Sequence, residues 1–150
     1  MQKFLRASLV LALLSTHAWA DDAALASPVG LWKTVDDKSG KVRSIVRISE
    51  ANGELSGKIE KLFREPGEEP SPKCDKCEGA RKDQPVLGMV FMSGLKKDGD
   101  EFSGGEILDP DNGKVYRSKM ALIEGGKKLK VRGYIGTPLF GRSQIWVRGD

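Results

Sequence analysis

Residues 114–135, KVYRSKMALIEGGKKLKVRGYI, give the clearest indication of the fold class of this chain. Between residues 115 and 122, Tyr, Ser, Met and Leu alternate with Val, Arg, Lys and Ala. A period of two residues with one polar face is typical of an antiparallel strand that is wetted on one side. Glu124-Gly-Gly126 supplies the residues that a tight turn needs, and the alternation returns at Leu129 and Val131. The stretch therefore predicts a β-hairpin.

The same alternation, interrupted by turn residues, recurs along the rest of the chain, and no segment carries a convincing helical stripe. The predicted strands are Gly30–Asp36, Arg43–Ser49, Glu54–Leu62, Val86–Leu95, Glu101–Leu108, Lys114–Ile123, Lys128–Ile135 and Arg142–Arg148. Sequential strands joined mostly by short turns predict an all-β fold, a single antiparallel up-and-down β-barrel of about eight strands, because closure removes exposed strand edges. A two-sheet sandwich with crossed connections is the alternative.

The N-terminal segment has the pattern of a secretory signal peptide. Lys3 and Arg6 precede a short apolar run, and Ala18-Trp-Ala20 is a small-residue cleavage site. We therefore expect a periplasmic or secreted, soluble protein without a membrane-spanning segment in its mature chain. The expected organisation is a signal peptide (1–20), a flexible leader (21–28) and one barrel domain (29–150).

Composition limits the chemistry. The single histidine, His17, lies in the expected signal peptide, so the mature domain lacks the commonest general base and metal ligand. No G-x-S-x-G or S-x-x-K pattern marks a nucleophile. Since two basic residues leave with the signal, the net charge falls from +4 to near +2, with both signs mixed along the chain. We expect no enzyme, no cofactor, no metal and no nucleic-acid partner.

The long connection 63–85 is the exception to the short turns, because Pro and Gly interrupt regular structure there. It holds both cysteines, Cys74 and Cys77. A local disulfide formed in an oxidising compartment is the favoured interpretation. A redox dithiol and a metal site are the alternatives, but the former wants a helix N-terminus and the latter lacks further ligands.

An eight-stranded barrel can enclose one small ligand, so its interior is the expected binding site. The predicted inward-facing apolar residues are Val46, Ile48, Leu55, Ile59, Tyr116, Met120, Leu122, Leu129 and Val131. The glycines that leave room in the barrel or mark bends are Gly57, Gly88, Gly104 and Gly133. The candidate ligand-binding residues are Trp32, Tyr116, Met120, Gln144, Trp146 and Arg148.

Two of these candidates have a predicted contact with each other. Trp32 opens the first strand, where so large an aromatic normally anchors a core, and Arg148 near the end of the last strand is placed to stack on it. If Trp146 faces inward, Gln144 and Arg148 are polar handles for a ligand headgroup. The alternative is that all these positions form a packed core.

Several motifs resemble an exported bacterial family, domain of unknown function family 2147. They are Gly30–Gly40, Cys74–Cys77 with Lys82–Pro85, the segments that start at Gly94 and Gly104, Gly113-Lys114 with Tyr116, Val131–Gly136 and Gly141–Trp146. The resemblance covers nearly all of the mature chain and implies a lipocalin-like (calycin) β-barrel. It implies no catalytic residues.

Three functional hypotheses follow. The first is an exported barrel that binds a small apolar or amphipathic ligand. The second is a filled barrel that acts as an interaction module of the cell envelope through loop 63–85, with an envelope protein or a second copy as partner. The third is a thiol–disulfide redox protein that uses Cys74 and Cys77.

Overall fold

The computed structural model describes residues 25–149. The predicted signal peptide, including His17, lies outside the described residues. The described chain is one closed antiparallel barrel in which each strand pairs with the next and β1 pairs with β8. Its strands are β1 (Gly30–Val35), β2 (Val42–Ala51), β3 (Glu54–Leu62), β4 (Val90–Asp98), β5 (Glu101–Asp109), β6 (Lys114–Ile123), β7 (Lys128–Tyr134) and β8 (Gly141–Arg148). The predicted up-and-down barrel is confirmed.

The barrel has two different ends. At the terminal end lie the start of β1, the end of β8 and three short turns, including the 3-10 turn Glu124–Gly126. At the loop end lie residues 36–41, 63–89, 110–113 and 135–140. Within the described residues, no helix is both long and apolar enough to cross a membrane.

The centre of the barrel is filled with side chains. Those with less than 2 % of their surface exposed include Trp32, Val46, Ile48, Met92, Leu95, Leu129 and Trp146. The predicted inward-facing set is buried except for Tyr116 and Leu122, which are half-buried. Period-two alternation therefore identified the inner face of the sheet.

The predicted start of β4 is wrong, because the strand begins at Val90 rather than Val86. Gly88 has a φ of 85°, a left-handed conformation that interrupts regular strand geometry, and its N–H donates to the Ile59 carbonyl oxygen at 2.7 Å. A register shift beside β3 follows, and Phe91 and Met92 are both buried although they are neighbours in sequence. This bulge explains why the sequence did not separate an inner from an outer face here.

The connection between β3 and β4 folds back on itself and packs on the barrel. The backbone of Cys74 bonds to Gln84 and Asp83 at 2.8 and 2.9 Å, and Lys73 forms an isolated bridge with Pro85. Cys74 and Cys77 form a disulfide and are 0 % and 3 % exposed. The predicted disulfide is thus present and is covered by protein rather than displayed.

Candidate functional site

Trp32 and Arg148 meet at the terminal end, as the sequence predicted. The Arg148 guanidinium carbon lies 4.3 Å from the centre of the Trp32 ring. Its Nε–H donates to the Gly126 carbonyl at 2.8 Å, and its Nη2–H donates to the Ser27 carbonyl at 2.8 Å. Burial lowers the pKa of Arg148. These contacts tie the segment before β1, the β6–β7 turn and β8 together, which closes this end of the barrel.

Inside the barrel, the indole N–H of Trp146 has a hydrogen-bond acceptor. Trp146 faces inward, and its indole N–H donates to the Gln144 side-chain oxygen at 3.2 Å. The Phe91 and Trp146 ring centres are 6.1 Å apart, and Met120 is 2 % exposed. Gln144, which the sequence offered as a handle for a headgroup, therefore already has a partner.

The glycines expected to leave room inside the barrel fall into two groups. A Cβ on Gly57 would meet the Met92 side chain at 3.0 Å, and one on Gly133 would meet Ile107 at 3.3 Å. These two glycines admit neighbouring side chains instead of creating space. Gly88 and Gly104 have φ values of 85° and 78° and mark bends.

One polar group in the barrel has no partner among the described residues. Ser118 is 0 % exposed, and its hydroxyl oxygen makes no hydrogen bond. In the sheet it lies between Gly105 and Gly133. An unpaired buried hydroxyl destabilises the fold, so removing the Ser118 hydroxyl by substitution tests whether this group has a partner in the barrel.

Tyr116 lies at the loop end, far along the barrel from Arg148. Its hydroxyl accepts a hydrogen bond from the Asn112 side chain at 3.0 Å. On β1 and β2, toward the same end of the barrel, the Thr34 and Ser44 hydroxyls are 2.7 Å apart. The six candidate ligand-binding residues are thus distributed over both ends and the middle of the barrel and do not meet at one surface.

A cleft of about 370 Å³ lies at the loop end, where the disulfide loop reaches the β5–β6 turn and the end of β7. It is lined by Cys77, Glu78, Arg81, Leu108, Gly113, Lys114, Val115, Tyr116 and Ile135. Leu108 forms a buried part of the wall at 3 % exposure, while Val115 and Ile135 are 47 % and 66 % exposed. The cleft has an apolar wall and a charged rim.

The cations at the loop end fall into two groups, those that pair with a carboxylate and those that do not. Arg142 pairs with Asp37 at 2.7 Å, and this raises the Arg142 pKa. Elsewhere on the same end Arg43 pairs with Glu68 at 3.0 Å. In contrast, no carboxylate of the described residues lies within ion-pair distance of Arg81 or Lys114 at the cleft rim.

Of the predicted site residues, only Tyr116 and Cys77 line this cleft. Sequence reasoning missed Val115 and Ile135, although a large aliphatic side chain at position 115, on a strand face shared with Arg117, was an available signal. A second cleft of about 410 Å³ lies at the terminal end, between Leu25 and the β6–β7 turn. Across residues 25–149, no group of three or more His, Cys, Asp or Glu side chains is arranged to hold a metal ion.

An eight-stranded antiparallel barrel, with a tryptophan of β1 stacked beneath an arginine of β8, defines a lipocalin-like protein. The chain belongs to the family described as "Uncharacterized protein conserved in bacteria (DUF2147)", whose model matches residues 30–148. This family assignment agrees with the resemblance found in the sequence.

A solved structure supports the same fold. Protein HP1028 from the human pathogen Helicobacter pylori, described as belonging to the lipocalin family, superposes with a TM-score of 0.69 and 21 % identity, over 83 % of this chain and 84 % of that one. No curated protein was found to match the chain. At this identity the likeness establishes architecture, and function has to be argued from the site itself.

Proposed function

We propose that this protein is an exported binding protein that holds a small amphipathic molecule with an anionic headgroup in the loop-end cleft. The observation that carries the proposal is the combination at one surface of an apolar wall, formed by Leu108, Val115 and Ile135, with two unpaired cations, Arg81 and Lys114. One carboxylate, Glu78, lines the same cleft, so the cations exceed the acids there by two to one. The packed interior around Trp32 and Trp146 supports placing the ligand at the mouth of the barrel.

The size and chemistry of the cleft set the scale of binding. Its volume of about 370 Å³ lies at the lower end of the range of small-molecule pockets. Each methylene group buried there contributes about 0.8 kcal/mol, whereas an exposed ion pair contributes about 0.2–1 kcal/mol. The alkyl part therefore supplies most of the affinity, and the headgroup selects charge and orientation.

Export is part of the proposal. Its support is the signal-like pattern of residues 1–20 together with a disulfide in the folded domain, since disulfides persist in oxidising compartments. Mass spectrometry of the protein from a periplasmic extract tests it. A mature N-terminus at Asp21 is expected, and an intact Met1 in the cytoplasm contradicts export.

Isothermal titration calorimetry of the mature chain with decyl phosphate tests the ligand site. Val115→Glu places a carboxylate in the apolar wall and is expected to abolish measurable binding. Val147→Glu is the matched control, because Val147 is a 38 % exposed strand residue outside the cleft. Equal binding by both variants, or equal binding of decyl phosphate and decanol, contradicts the proposal.

A second candidate function is interaction with an envelope protein through the disulfide loop. The observation that favours it is the exposure of Leu87 and Val90, at 53 % and 49 %, where the loop joins β4. Cross-linking in the native host tests it. A Leu87→Ser, Val90→Ser variant loses the cross-linked partner if this function is correct and keeps it if the function is wrong.

The thiol–disulfide alternative receives least support from the geometry. A redox disulfide has to be reached by an attacking thiolate, and Cys74 is fully buried. Rapid exchange of the folded protein with glutathione, at the rate of an exposed dithiol, would restore this alternative.

A further inference from the structure

The net charge of this chain hides a strong asymmetry. Residues 112–149 contain nine Lys and Arg and a single acid, Glu124, whereas residues 25–111 contain 14 Lys and Arg and 17 Asp and Glu. The acid-poor part forms β6, β7 and β8, which are neighbours in the barrel. The mixed composition of the whole sequence therefore divides in space into one basic side and one mildly acidic side.

The outer surface of β6 and β7 carries the cations of this basic side. We call it the basic face and define it by Arg117, Lys119, Lys130 and Arg132. Lys119 pairs with Glu101 at 3.2 Å. Among the described residues, the other three have no carboxylate within ion-pair distance.

The loop between β7 and β8 adds an apolar tip at the edge of the basic face. Ile135, Leu139 and Phe140 are 66 %, 85 % and 72 % exposed. Three large apolar side chains in a six-residue loop form the kind of exposed patch that a folded protein retains for contact with a partner or a membrane. In the sheet, Tyr134, the last residue of β7, pairs with Arg117.

The tip is held in this conformation by its own hydrogen bonds. The Ile135 N–H donates to the Phe140 carbonyl at 2.9 Å, and the Phe140 N–H donates to the Thr137 carbonyl at 3.0 Å. Arg132 donates to the Pro138 carbonyl at 2.6 Å and to the Ser143 hydroxyl at 3.0 Å. The exposed side chains are therefore presented by an internally bonded turn that one cation of the basic face supports.

We propose that the β7–β8 tip inserts into the surface of an anionic phospholipid bilayer, and that the basic face contacts the lipid phosphates. Leu139 and Phe140 enter the boundary between headgroups and acyl chains, to a depth of about 5–10 Å. The Arg132 guanidinium donates to the carbonyl of Pro138, the neighbour of Leu139, so its charge stands at the base of the tip when Leu139 and Phe140 are inserted. An anionic bilayer offers both chemistries at once, whereas a nucleic acid offers phosphates without an apolar layer.

This inference shares Ile135 with the cleft, but its variants change only residues that do not line the cleft: Arg117, Lys130, Leu139 and Phe140. Co-sedimentation of the mature chain with vesicles tests it. We expect binding to vesicles of equal parts phosphatidylcholine and phosphatidylglycerol, weak binding to phosphatidylcholine alone, and loss of binding in high salt. Absence of binding to the anionic vesicles overturns the proposal.

Two pairs of variants separate the apolar contribution from the electrostatic one. Leu139→Ser with Phe140→Ser is expected to lower the partition coefficient at least about tenfold. Arg117→Gln with Lys130→Gln is expected to lower it about 25-fold, at about fivefold per cation. The matched controls are Leu87→Ser with Val90→Ser and Lys38→Gln with Lys58→Gln, which alter exposed side chains on other strands and loops. The controls are expected to bind like the wild type.

The same variants distinguish a bilayer from other binding partners of the tip. Wild-type binding by the tip variant contradicts the proposal, as does equal loss in the controls. A dimer that dissociates in the tip variant, together with no vesicle binding by the wild type, assigns the surface to a second copy of the chain. A variant in the cleft, Arg81→Gln, is expected to keep full vesicle binding, so a failure of the ligand proposal leaves this one standing.

Discussion

Replacing Arg148 by methionine tests how the terminal end of the barrel is held closed. The substitution keeps an unbranched apolar stem but removes the stacking over Trp32 and the donors to Gly126 and Ser27. It leaves both carbonyl groups dependent on water. The perturbation therefore acts on three segments that are distant in sequence.

The magnitude follows from these contacts. A cation–π contact contributes about 0.5–2 kcal/mol, and a hydrogen bond to a charged group about 1.5–3 kcal/mol. Because Arg148 is only half-buried, water recovers part of both hydrogen bonds. We expect the free energy of unfolding to fall by about 2–4 kcal/mol and Tm to fall by about 10 °C.

Urea unfolding followed by tryptophan fluorescence measures the effect, with Arg117→Met as the control. Arg117 is exposed and unpaired among the described residues, so its replacement is expected to change stability by less than about 0.5 kcal/mol. Arg148→Lys keeps a cation near the ring but loses the geometry of the two donors. Its free energy of unfolding should lie between those of Arg148→Met and Arg117→Met. Equal stability of Arg148→Met and Arg117→Met would show that Arg148 does not hold the terminal end of the barrel closed.

Three further predictions concern the interior, the loop and pH. Ser118→Ala is expected to leave the free energy of unfolding unchanged or to raise it by up to about 1 kcal/mol, because it removes an unpaired buried hydroxyl, and a clear loss of stability in urea unfolding would indicate a hidden partner. Cys74→Ala with Cys77→Ala removes the disulfide without burying new hydroxyl groups, and the loss of the short closed ring is expected to cost about 2 kcal/mol in loop entropy and to speed proteolysis within residues 63–89; an unchanged cleavage rate would contradict a stiffening role. The Glu65 backbone N–H and then Arg43 lower the Glu68 pKa below 4.5, so the stability that Glu68 contributes is present above its unfolded pKa and is lost as pH falls through its folded pKa. Glu68→Gln should therefore reduce the loss of stability on acidification, and an NMR titration of Glu68 at or above 4.5 would contradict the assignment.

Local patterns predicted the barrel well because antiparallel hairpins are encoded locally. The alternation in residues 114–135 and its turn define β6, β7 and their inner faces without information from elsewhere in the chain. The contact of Arg148 with Trp32 was also predictable, because an up-and-down barrel has to bring its first and last strands together. These features follow from period, turn chemistry and closure.

The features that sequence reasoning missed depend on contacts between distant segments. Gly88 ends the loop only because its N–H reaches Ile59, and the bulge at Phe91 follows from that pairing. The cleft exists because the disulfide loop packs against the β5–β6 turn: a Cβ on Gly113 would collide with the Lys76 backbone. Nothing in the local pattern of residues 63–89 specifies this docking.

The charge asymmetry is a different case, since it was legible in the sequence but was averaged away by counting the whole chain. Only the topology shows that residues 112–149 form adjacent strands and therefore one side of the barrel. Counting the charged residues strand by strand reveals the asymmetry.

An NMR titration of the mature chain with decyl phosphate locates the ligand residue by residue. Binding at the loop-end cleft predicts the largest chemical-shift changes at Val115, Tyr116 and Ile135, with saturation as the ligand is added. Changes centred on Met120, Gln144 and Trp146 would place the ligand inside the barrel and contradict binding at the loop-end cleft.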